Sequence, residues 1–120
     1  MFDKETNFKD LEGMTLTNIE VSDDKSEIYF TTSEGKRFIM YHDQDCCEEV
    51  LVEEIYGDLK SVLNKEIVLA EEVSKVDDNA RDSGTWTFYN IATVNGFVTI
   101  RWYGESNGYY SESVSFKEKE

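Results

Sequence analysis

Arg101 stands among flat rings. The stretch from Thr85 to Phe116, TWTFYNIATVNGFVTIRWYGESNGYYSESVSF, holds both tryptophans and most of the tyrosines. Trp86, Phe88, Tyr103 and Tyr110 offer faces on which a base or another ring stacks. Arg101 offers a fork for a phosphate or carboxylate, and Asn90, Glu105, Asn107 and Glu112 offer hydrogen bonds to a ligand's edge. The chemistry expected of this set is recognition of a small ring-bearing anion. The plainer alternative makes the rings core and gives Arg101 to Glu112 as a structural pair.

A second group of reactive types is HDQDCCE, His42 to Glu48. His42, Asp43 and Asp45 are counted with the ligand-binding residues. A structural zinc site wants four ligands in spaced pairs; here the cysteines are adjacent and no other Cys or His exists in the chain. The acids lack the spacing and the glycine of a calcium loop. Carboxylates around Cys46 and Cys47 disfavour a thiolate, which speaks against a Cys-His nucleophile. No metal and no cofactor is expected, and the cysteines are expected to be reduced, buried and structural. A pair such as Glu105 and Glu112 could do acid/base work, but an acidic chain holds many such pairs by accident. Binding is expected rather than catalysis.

The elements that must position these residues read as strands. Two Asn-Gly pairs, Asn95-Gly96 and Asn107-Gly108, are the residues that two-residue hairpin turns favour. With both as turns, Asn90 faces Arg101, Phe88 faces Tyr103, Trp86 faces Glu105 and Tyr103 faces Glu112, in a three-stranded meander. Period-two alternation then puts Trp86, Phe88, Asn90, Arg101, Tyr103, Glu105, Tyr110 and Glu112 on one side. Thr87, Tyr89, Ile91, Val98, Ile100, Trp102 and three serines take the other. Which side is core stays open; the expected shape is a curved sheet whose Arg/Glu/Tyr/Trp end opens as a cleft.

Upstream, Asn7 to Glu12 reads as a short polar helical turn closed by Gly13. Met14 to Val21, Glu27 to Thr32 and Arg37 to His42 read as strands joined by turns. Val50 to Tyr56 reads either as a strand or as part of a helix with Asp58 to Asn64, with Gly57 arguing for a break and Asp58 for an N-cap. Ile67 to Val76 reads as a strand and residues 77–84 as a long loop. The fold class expected is α+β, mostly antiparallel β, a single curved meander sheet with one short helix. One domain covers residues 1–120, with 1–6 and 117–120 frayed.

The chain has 120 residues and a net charge of −14. That charge disfavours direct binding of nucleic acid or an anionic membrane and suits a basic protein surface. No apolar run approaches a membrane span, and MFDKETNFKD lacks a signal pattern, so a cytoplasmic location is expected.

The segments HDQDCCE at His42 to Glu48, EEIYGDL at Glu53 to Leu59, TWTFY at Thr85 to Tyr89 and IRWYGESNGYYSE at Ile100 to Glu112 together resemble a family of small bacteriophage proteins of unknown function. The resemblance runs over roughly residues 8–116 and implies a phage origin and a host-cytoplasm location. It brings no catalytic mechanism. For a phage accessory protein, the ligand expected is a nucleotide-derived host immune signal, sequestered to blunt defence. Two alternatives are an acidic inhibitor of a host nuclease or CRISPR effector that mimics nucleic acid, and a small enzyme acting on a nucleotide. The oligomeric state is not legible.

Overall fold

The computed structural model describes residues 4–119. Its strands are β1 (Lys4–Glu5), β2 (Leu16–Val21), β3 (Glu27–Thr32), β4 (Arg37–Tyr41), β5 (Glu49–Tyr56), β6 (Leu69–Val76), β7 (Ser83–Thr93), β8 (Gly96–Ser106) and β9 (Ser115–Lys119). Two 3₁₀ turns, Phe8–Leu11 and Leu59–Val62, are the helical elements of the described residues. Asp58 caps the second, its carboxylate accepting from Lys60 N–H at 3.0 Å, so the expected short helix is one tight turn. The fold is mostly antiparallel β, as the alternation of apolar residues indicates.

The expected single sheet is two. One has the order β1-β9-β4-β3-β2 and the other β5-β8-β7-β6. Val50 to Tyr56, left between strand and helix, lies in strand β5, with a bulge between Val52 and Glu54. Between the sheets lies one core. From the five-stranded sheet come Ile28, Phe30, Phe38, Met40 and Phe116; from the other come Tyr89, Ile91, Val98, Ile100 and Trp102. Phe8 joins the two, its ring edge-on to Tyr89 at 4.8 Å and to Phe116 at 5.3 Å. Trp102 Nε1 donates across to Met40 Sδ at 3.1 Å. The segment that reads as merely polar therefore contributes two buried residues, Phe8 and Leu11.

The β7–β8 hairpin forms, but two residues away from the expected register. Thr93 pairs with Gly96, Phe88 with Arg101 and Trp86 with Tyr103, so Val94 and Asn95 make the turn. Gly96 serves close approach instead of a left-handed turn. A Cβ there would lie 2.2 Å from Ser61 Oγ. A slip of two preserves the period-two faces, so the expected grouping of side chains survives the wrong pairing.

The second expected hairpin does not form. After β8 the chain leaves its sheet and β9 pairs with β4 and β1, Phe116 lying opposite Met40. Asn107-Gly108 starts this crossing, with Gly108 at φ +95 and Asn107 Oδ1 accepting from Tyr109 N–H at 2.9 Å. The expected pairing of Tyr103 with Glu112 is thereby lost. Lys117 to Lys119, expected to fray, and Lys4–Glu5 lie in paired strands; residues 1–3 and 120 lie outside the described residues.

Candidate functional site

One face of the β5-β8-β7-β6 sheet meets the core, carrying Thr87, Tyr89, Ile91, Val98, Ile100 and Trp102, all buried. Its opposite face presents Trp86, Phe88, Asn90, Arg101 and Tyr103 half-buried, with Glu105 exposed at one end. Six of the expected site residues thus share one outer face. Phe97 and Val73, 54% and 47% exposed, extend it.

Arg101 is at its centre. Its guanidinium lies 4.9 Å from the Trp86 ring and 5.1 Å from the Tyr56 ring, held between them. Nε donates to Glu53 Oε1 at 2.8 Å, and Nη2 donates to the same oxygen. The Glu53 carboxylate raises the arginine's pKa further. Nη1 makes no hydrogen bond to the described residues, and the side chain keeps a quarter of its exposure. The partner is therefore Glu53 and not Glu112. The β5 bulge brings Glu53 there, a long-range pairing with no local signal in the sequence.

Around this centre the polar groups are tied. Trp86 and Tyr103 lie 4.3 Å apart, and Tyr103 O–H donates to Asp77 Oδ2 at 2.6 Å. That bond pushes the Tyr103 pKa up to about 12 and holds Asp77 below the usual carboxylate range. Asn90 donates to Glu71 at 2.9 Å and accepts from Thr99 at 2.6 Å, so its edge is engaged. A pocket of about 340 Å³ opens beside Arg101, lined by Trp86, Phe88, Lys75, Asp77, Asp78 and Asn79. Tyr56, Glu53 and Asp77 escaped the sequence reading because they come from other strands and a loop.

Glu112 lies on the other side of the sheet. It is buried, accepting from Thr85 Oγ1 at 2.7 Å and Ser106 Oγ at 2.5 Å. Burial alone would push its carboxyl up, but bonds from Ser106, Thr85 and Ser83 outweigh that and leave it below the ordinary value. Gly104 lets this happen, since a Cβ there would lie 2.9 Å from Glu112 O. Asn107 is exposed and Tyr110 half-buried in the same crossing segment, which takes Tyr110 out of the expected ring stack.

His42, Asp43 and Asp45 form a separate place. Within the described residues the chain crosses between sheets twice, at residues 42–48 and 107–114, and His42 clasps the two crossings together. Its Nε2 meets Glu48 Oε2 at 2.7 Å and its Nδ1 meets Ser113 O at 2.6 Å. Glu48 offers a carboxylate oxygen and Ser113 a main-chain carbonyl, so the ring is held from both of its nitrogens. Glu48 is fully enclosed and also accepts from Asp45 N–H at 2.8 Å and Cys46 N–H at 2.9 Å. The histidine bond, followed by these backbone bonds, lowers the Glu48 pKa to about 2 against the cost of burial. Asp43 and Asp45 are exposed beside a second pocket with Ser111, Ser113 and Ser115. Cys46 and Cys47, expected buried and reduced, are exposed and joined to each other as a disulfide. The loop held by Glu48 places them at the surface, where packing has no use for them.

Fold and site together define a two-sheet antiparallel β protein with a half-exposed aromatic face centred on a carboxylate-bound arginine. The chain belongs to the family described as Domain of unknown function (DUF7448), whose family model matches residues 9–116. No curated protein and no solved structure matches it. Among the described residues no helix is long and apolar enough to cross a membrane.

Proposed function

We propose that this chain is a binding protein and that the Arg101 face is its binding surface. The ligand is a small molecule with a flat ring and a compact anionic group, of the nucleotide kind. The observation that carries this reading is Arg101 itself: it is held close to the Trp86 and Tyr56 rings and tied by Glu53, with Nη1 uncommitted beside an open pocket. Preorganising a rotamer-rich side chain removes part of the cost of binding. The ring stacks on the aromatic surface and Nη1 takes the anion. Exposed Glu53, Glu54 and Glu105 on and around this face select against a polyanion and for a ligand of few charges.

In biological terms the proposal is a phage accessory protein in the host cytoplasm that sequesters a nucleotide-derived immune signal without turning it over. A second reading is favoured by the acids at the rim of the same face and the net charge of −14: a basic host protein, such as a nuclease, docks there.

The test is titration with a panel of nucleoside monophosphates and cyclic dinucleotides, followed by tryptophan fluorescence and calorimetry, with polylysine as the basic probe. A nucleotide should bind with little salt dependence, and Arg101→Ala should weaken it by about 2–5 kcal/mol. The same change should cost the fold only about 1–2 kcal/mol, from an exposed ion pair and two ring contacts. Steeply salt-dependent binding of polylysine alone would favour the second reading. Equal nucleotide binding by the Arg101→Ala protein would sink the proposed site.

A further inference from the structure

Among the described residues, strand β6, Leu69–Val76, is an edge of its sheet, with β7 as its one neighbour there. Leu69, Glu71, Val73 and Lys75 turn their main-chain groups toward β7. The ladder's phase shows this: Asp77 N–H, two residues beyond Lys75, donates to Gly84 O at 2.9 Å. Ala70, in the opposite phase, donates away from β7 to Glu12 Oε2 at 3.0 Å. In an antiparallel ladder alternate residues face alternate edges. Glu72, Ser74 and Val76 therefore aim their N–H and C=O groups at the free edge, as Ala70 does.

All residues from Glu71 to Val76 are exposed, Val73 and Val76 among them at 47% and 67%. Glu12 covers the Ala70 end, and the Phe8–Leu11 turn lies beside the same end of the strand, next to Ala70, Glu71 and Glu72. An uncovered edge of this length is a template for another strand, which natural proteins ordinarily block with charge. Here the charges are spaced so that one register turns them into attraction.

We propose that β6 pairs antiparallel with β6 of a second copy of this chain, with Val73 opposite Val73 on the two-fold axis. In that register Glu71 of each copy lies opposite Lys75 of the other, and both pairs stand on the outer face. Glu72 and Ser74 exchange main-chain hydrogen bonds on either side of the axis. Sliding by two residues one way sets Glu72 against Glu72; sliding the other way sets Glu71 against Asp77. Both alternatives oppose like charges, so the charge pattern selects the central register. The interface is isologous and closes on itself. It joins two four-stranded sheets into one continuous sheet with both Trp86 residues on the same face. It stands independently of what that face binds.

The experiment is sedimentation velocity on the whole chain, from micromolar to several hundred micromolar, at about 0.15 M salt where long-range repulsion between acidic copies is screened. A concentration-dependent monomer–dimer equilibrium is expected. Lys75→Glu, which opposes acids twice, should shift the dissociation constant upward at least tenfold. Combining it with Glu71→Lys should restore dimerisation, since the swapped pair is again self-complementary. Ser74→Pro removes one outward N–H, leaves the bonds to β7 intact and should also dissociate the dimer. Circular dichroism confirms that each variant is folded. A parent protein that stays monomeric throughout would overturn the proposal. So would dimers indifferent to Lys75→Glu and Ser74→Pro, or a double variant that fails to recover.

Discussion

Phe8→Ala should be among the most damaging single changes in this chain. The ring is 3% exposed and meets Tyr89, Phe30 and Phe116, so it touches both sheets at once. A phenyl side chain buries roughly 150–250 Å², which at about 25 cal/mol per Å² sets an upper bound of roughly 4–6 kcal/mol. Partial collapse of the space reduces this to about 3–5 kcal/mol, the usual cost of Phe→Ala in a core. At roughly 3–6 °C per kcal/mol for a chain of this length, the melting midpoint should fall by about 10–25 °C. Equilibrium urea unfolding, followed by fluorescence of the buried Trp102, measures the difference directly. A loss below about 1 kcal/mol would show that the Phe8–Leu11 turn does not join the sheets, and the description of the core would be wrong.

Glu48 has a folded pKa of about 2 against an ordinary 4.5, so the stability it contributes is complete above about pH 4.5 and is lost as the pH falls toward 2. Glu48→Gln should flatten that part of an acid unfolding curve; an unchanged curve would show that the clasp at His42 is not ionic. The Cys46–Cys47 disulfide joins neighbours and closes almost no loop, so replacing both by Ser should change the unfolding free energy by less than about 1 kcal/mol. A loss of several kcal/mol would contradict this. The Tyr89 hydroxyl is buried and makes no hydrogen bond of normal geometry to the described residues, and burial together with nearby Glu72 pushes its pKa far up. Tyr89→Phe should therefore stabilise by about 1 kcal/mol, and a shift of the urea midpoint downward would reveal a partner for that hydroxyl.

Local pattern alone determined the strands, because side-chain alternation is written at a period of two and survives errors of pairing. Trp86, Phe88, Asn90, Arg101, Tyr103 and Glu105 were legible as one face although every expected β7–β8 partner was displaced, since the displacement was an even number of residues. Tertiary structure decided everything that depends on distant contacts. Gly96 reads as a turn residue, yet its lack of a side chain admits Ser61. Asn107-Gly108 reads as a hairpin, yet the chain crosses to the other sheet there. Glu112 binds Thr85 and Ser106 over Gly104, and Phe116 belongs opposite Met40. The same limit left Glu112 as the alternative partner of Arg101 and hid the real one. Glu53 reaches it through a bulge in β5, forty-eight residues away in sequence, and no local propensity encodes that meeting. His42 was counted with the ligand-binding residues for its reactive type, and Glu48 was not. Their enclosure between two crossings, which only the packed sheets create, makes them a clasp.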